Sequence, residues 1–188
     1  MPLSTESDLA RELYDAGMIA YNEIKIGTAV KSLEMALVED PNFFMAQFWM
    51  YFMSSKNSKA IAQQVLQNPG ELNRAEQEIK TAFKYLLDGQ DKQVVEHLNE
   101  AISLHPKDPE LYKILYIIQL HFQKDIDGAI GTLRKAIEVQ PEFASAYNQL
   151  GYALMYRDDF PEAEVAFDMY IKLKPEEANP YDSKGITT

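Results

Sequence analysis

Cysteine is absent from the chain, and glycine is scarce at 8 of 188 residues. Without cysteine there is no disulfide framework, no thiol catalysis and no thiolate site for zinc or an iron–sulfur cluster. Basic residues are outnumbered, 18 against 29 acidic, for a net charge of −11. That balance speaks against nucleic acid, because binding a phosphate backbone needs a basic excess to displace its counterions. No apolar run reaches membrane-spanning length. The longest nearly unbroken one, Phe43 to Met53, has Gln47 inside it and is about half of what a spanning helix needs. The first fifteen residues, MPLSTESDLARELYD, are acidic and polar where a signal peptide is basic and then apolar. Nor is there a Gly-rich phosphate loop or a catalytic signature. What is present is 46% hydrophobic residues, enough to exclude a disordered chain.

The hydrophobic residues are organised by repetition. Ala129 to Pro141 reads AIGTLRKAIEVQP, and Ala163 to Pro175 reads AEVAFDMYIKLKP, 34 residues later. Ala29 to Pro41 (AVKSLEMALVEDP) and Val94 to Pro106 are further copies. In each, a small residue (Ala29, Val94, Ala129, Ala163) is followed four positions on by a large one (Leu33, Leu98, Leu133, Phe167). Three positions further comes Ala36, Ala101, Ala136 or Tyr170. Spacings of four and three place these side chains on one helical face, as packing between antiparallel helices requires. The closing proline ends the helix. A partner helix precedes each copy, most clearly at Phe143 to Tyr156, where Tyr147, Leu150 and Leu154 recur at helical spacing and Gly151 marks a close approach. The turn RDDFPE supplies an aspartate cap and Pro161 in the first turn.

Tyr147, Leu150, Gly151, Ala163, Phe167 and Pro175 meet the pattern by which the chain resembles tetratricopeptide repeat (TPR) proteins, with Tyr170 departing where alanine is usual. The resemblance covers most of the chain. It implies an all-α fold, a right-handed α-α superhelix of about five helix pairs in one domain over 1–188. The motifs are approximately 9–41, 43–69 (degenerate, with a shortened turn or second helix), 70–106, 108–141 and 143–175. Motif one has Gly17 in the glycine place, motif three turns at Asp88-Gly89, and motif four opens with Asp108 and Pro109. A partial sixth motif over 179–188 repeats the pattern in Asn179, Pro180, Tyr181 and Gly185, as expected of a fragment of a longer protein or of a short cap. The runs ASAYNQLGYAL and ANPYDSKG look like bacterial TPR proteins, some of which are exported. A soluble protein of the cytoplasm or periplasm is expected.

By that resemblance the first helices line a concave groove that holds a peptide or helix of a partner protein, with no catalysis. The groove positions fall on Tyr14, Met18 and Tyr21 in motif one and on Phe48, Trp49 and Phe52 in motif two. In motif four they fall on Lys113, Ile117 and His121, and in motif five on Asn148, Tyr152 and Tyr156. TPR proteins that grip acidic chaperone tails resemble one another in a lysine and asparagine clamp at these places. Here Tyr14 and Met18, or Phe48 and Phe52, stand instead, so a neutral or basic partner with apolar anchors is expected. Phe44, Met50 and Met53 are expected in the core. A structural spacer or self-association module, or a regulatory segment of a larger protein, are the alternatives. No cofactor or metal is expected: His97 with Glu100 has ligand spacing, but a solvated helix face explains it. His105 precedes a helix-ending proline and serves the last carbonyls, and no nucleophile, base and orienting group coincide.

Overall fold

The computed structural model describes residues 1–54 and 58–176. The partial motif over 179–188 lies outside them. Among the described residues there are ten α-helices and no strand. They pair as α1 (Asp8–Asn22) with α2 (Ile26–Glu39), α3 (Phe44–Met53) with α4 (Ser58–Gln67), and α5 (Arg74–Leu87) with α6 (Asp91–Leu104). Next come α7 (Pro109–Ile117) with α8 (Ile126–Val139), and α9 (Ala144–Tyr156) with α10 (Phe160–Leu173). The chain forms two compact units, Met1–Ala101 and Ile102–Thr188.

Glycine decides how closely a pair packs. A Cβ on Gly151 would stand 2.5 to 2.8 Å from three ring atoms of Phe167, so α10 lies against bare backbone there. Gly17 admits Leu33 in the same way in α1 and α2, with less crowding, at 3.2 to 3.3 Å. Ala82 occupies the corresponding place in α5, and side chains join that pair instead. His97 Nδ1 lies 2.7 Å from Glu78 Oε2 with its ring stacked on Tyr85, and Arg74 bonds Glu100 at 3.1 Å. His97 is therefore partly buried and held, rather than part of a solvated face, and Glu100 is drawn to arginine.

The turns within four of the pairs share one geometry. Ile24, Gly89, Lys124 and Asp158 each take a left-handed backbone, with φ between 61° and 69°. Caps are local. Ser7 accepts from Ala10 N–H, Asp108 from Glu110 N–H and Asp125 from Gly128 N–H, while Asn73 and Glu76 form a reciprocal capping box. Asp159 occupies the N-cap position of α10 but makes no cap bond, because Arg157 holds its carboxylate at 2.9 Å.

α7 continues as a π-helical stretch, Ile118–Gln123, before Lys124 turns the chain. The cause is arithmetical. Pro106 and Pro141 are 35 residues apart, whereas Pro141 and Pro175 are 34 apart. A single inserted residue in a helix is accommodated as a π-bulge. The buried Gln119 in this stretch accepts a bond from Thr132 Oγ1 of α8 at 2.8 Å, and its carbonyl accepts from Asp125 N–H at 2.9 Å.

In the first unit an N-terminal arm, Pro2 to Ser7, runs beside α1 to the start of α5. Ser4 N–H donates to Glu76 Oε1 at 3.0 Å, Asn73 N–H donates to Ser4 Oγ at 3.1 Å, and Asn73 Nδ2 donates to the Pro2 carbonyl at 3.0 Å. Thr5 Oγ1 donates to Asp40 at 2.6 Å. Glu76 is fully buried under the arm.

Candidate functional site

The first-helix row of the first unit is largely an aromatic core. Tyr14 is buried against Phe43, with ring centroids 5.1 Å apart, and Met18 is buried beside it on α1. Tyr21, half-buried, lies 5.5 Å from Trp49. Phe48 and Trp49 are fully buried, while Phe52 is half-buried at 5.0 Å from Phe48 and 6.3 Å from Phe83. Tyr51 and Phe83 complete the cluster, their rings edge-on at 4.8 Å. The structure thus gathers Tyr21, Phe48, Trp49 and Phe52 and adds Tyr51 and Phe83, which the sequence pattern did not single out. Phe44 and Met50 are buried and Met53 half-buried.

In the second unit the row is mixed. Lys113 is fully buried, its ammonium bonded to Glu110 one turn earlier and 5.4 Å above the Phe143 ring. Burial pushes the Lys113 ammonium below the ordinary lysine range, against the opposing pull of Glu110 and, more weakly, Asp108. Ile117 is buried and His121 exposed in the π-helical stretch. Asn148 is 2% exposed. Glu110 and Lys113 recur 35 residues later as Ser145 and Asn148, equivalent positions of successive repeats. Their oxygens Glu110 Oε2, Ser145 Oγ and Asn148 Oδ1 are buried without a hydrogen-bond partner. Tyr152 is half-buried, its ring T-shaped on Phe167 at 5.3 Å, and Tyr156 is 64% exposed.

Solvent therefore meets Tyr21 and Phe52 in one unit, and Tyr152, Tyr156 and His121 in the other. Lys113, the cation of the row, is enclosed. Among the described residues no group of three or more His, Asp or Glu is placed to hold a metal, and no helix is long and apolar enough to cross a membrane.

No family model and no curated protein matches the sequence. Solved structures do match in fold. The first TPR of Spaghetti (RPAP3), bound to the HSP90 peptide SRMEEVD, superposes with a TM-score of 0.50 at 16% identity, over 61% of this chain and 92% of that one. The second TPR domain of human RPAP3, in complex with the HSP70 peptide SGPTIEEVD, gives 0.51 at 16% identity, over 61% and 94%. MamA gives 0.49 at 17% identity, over 92% and 95%. The likeness to the two RPAP3 domains places the chain in the TPR fold, an all-α arrangement of repeated helical hairpins.

Proposed function

We propose that the chain is a protein-interaction scaffold, without catalysis, that holds a peptide or helix of a partner on its first helices through aromatic contacts. The observation that carries this reading is which members of the row reach solvent. Apart from His121 they are tyrosine and phenylalanine, Tyr152 and Tyr156 above all, while Lys113 is buried and engaged by Glu110. Both RPAP3 domains are seen with peptides ending in EEVD. A carboxylate-rich tail of that kind would meet no accessible lysine from this row and a net charge of −11. The partner is instead neutral or basic, anchored by apolar side chains, in the helix-in-groove or extended-peptide manner.

Panning a displayed random-peptide library against the full chain tests this. Neutral or basic sequences with aliphatic or aromatic anchors should be enriched, and Tyr152→Ala with Tyr156→Ala should lose them. Enrichment of acidic sequences, or capture unchanged in the double variant, would refute it.

A further inference from the structure

Motif two leaves a gap in the first unit. α3 is 10 residues long, whereas α2, α5 and α6 are 14. The shortfall, more than a turn, leaves the end of α5 less covered on the side of α3, although α6 packs along it, and Leu87 there is exposed. A cavity of about 350 Å³ results, at the small end of the range of ligand pockets. Its apolar lining is Tyr51, Ala62, Leu66 and Leu87. Leu87 is 40% exposed, and Tyr51 is fixed as a wall by its edge-on contact with Phe83. Among the described residues the polar lining is Ser58, Lys59 and Gln63, of which Lys59 carries a charge, and no described acidic residue lines the cavity, in a chain where acids outnumber bases.

We propose that this cavity binds a small amphiphile with an anionic head, a medium-chain carboxylate, whose alkyl chain lies between Leu66, Leu87 and Tyr51 while the head meets Lys59. The apolar lining sets the tail and Lys59 sets the sign of the head, because an ammonium head would lie against like charge. The site shares Tyr51 with the aromatic cluster of α3 and stands whether or not the first-helix row binds a peptide.

Titrating the full ¹⁵N-labelled chain with octanoate, read by amide chemical shifts, tests the assignment. Saturable shifts centred on Tyr51, Ala62 and Leu87 are expected. Octanol should bind several-fold more weakly, and Lys59→Gln should weaken octanoate about three- to fivefold, the size of an exposed ion pair. Leu66→Trp should fill the cavity and abolish the shifts; if circular dichroism shows that variant unfolded, Leu87→Trp takes its place with the same expected loss. Octyltrimethylammonium binding as tightly as octanoate, shifts centred elsewhere, or octanoate binding retained in the folded filled variant would overturn the proposal.

Discussion

Gly151→Ala sets two well-measured effects against each other at one atom. In a helix interior the change from glycine to alanine is worth up to about 1 kcal/mol in favour of folding. The new methyl, however, would lie 2.5, 2.6 and 2.8 Å from three atoms of the Phe167 ring, where carbon atoms prefer about 3.5 to 4.0 Å. Phe167 is fully buried, so its ring cannot swing out to solvent without losing its packing. Overpacking of this kind costs about 1–3 kcal/mol, and with three ring atoms crowded the upper half of that range applies. The net expectation is a loss of about 1–2 kcal/mol, a drop of roughly 2–8 °C in Tm for a chain of this length. Gly131→Ala is the internal control, because nothing lies within 4 Å of its Cβ position, and it should gain most of the 1 kcal/mol. Gly17→Ala, at 3.2 to 3.3 Å from a flexible leucine and a carbonyl, should fall between them. Urea unfolding followed by circular dichroism reads all three. Phe167→Leu in the Gly151→Ala background should recover part of the loss, giving a favourable coupling in a double-mutant cycle. If Gly151→Ala matched Gly131→Ala, or Phe167→Leu showed no coupling, steric exclusion would not be the reason for glycine there.

Three further outcomes follow from the geometry. Lys113 has its folded-state pKa lowered, so as pH rises the folded chain loses this proton before the unfolded chain does. Stability relative to Lys113→Met should therefore rise with pH as the ordinary value of 10.5 is approached from below, and a flat or falling difference in urea midpoints would contradict the assignment. Deleting Phe122 should convert the π-helical stretch to plain α-helix, restore 34-residue spacing and cost under about 1 kcal/mol, since the bulge already holds one residue in excess. Deleting Ala153 from α9, where there is no bulge to absorb it, should instead collapse the second unit's circular dichroism signal. Glu76→Ala should destabilise the first unit by about 1–3 kcal/mol, because it strips the capping box and the arm of a buried acceptor; hydrogen exchange at Ser4 and Asn73 should accelerate together, and protection at Ser4 unaffected would contradict the role given to Glu76.

The repeat was legible because its signals are local. Proline ends, the small residues Ala29, Ala129 and Ala163, and Gly151 report helix ends and close approach through the chain's own sterics, and these places are where the structure has them. Asp159 shows the limit of such reasoning: its place before α10 follows from the turn, but Arg157 two residues away decides where its carboxylate points. The π-helical stretch is written in the sequence only as a 35-residue interval, which signals an extra residue without saying where in the hairpin it lies. Exposure along the first helices was legible in part: Phe44 and Met50 lie in the core as expected, whereas Phe48 and Trp49, read as groove positions, are enclosed as well. Helical spacing tells which residues share a face, whereas Trp49 is enclosed because Tyr21 and Phe48 happen to lie around it. The pairing of His97 with Glu78 joins residues 19 apart across two helices, a relation no single-helix pattern contains.

The N-terminal arm changes how the first unit folds. In a helical repeat nearly every contact is made between near neighbours in sequence, so repeats can form and melt one at a time. The bonds from Ser4 to Glu76 and from Pro2 to Asn73 join residues 72 and 71 apart. Closing a loop of that length carries an entropic penalty that no single hairpin incurs, so these bonds should form only once motifs one to three have assembled and should be lost together with them. Once closed, the arm ties the fate of the first hairpin to that of the third across the short second one. What would otherwise unravel hairpin by hairpin becomes a single cooperative transition.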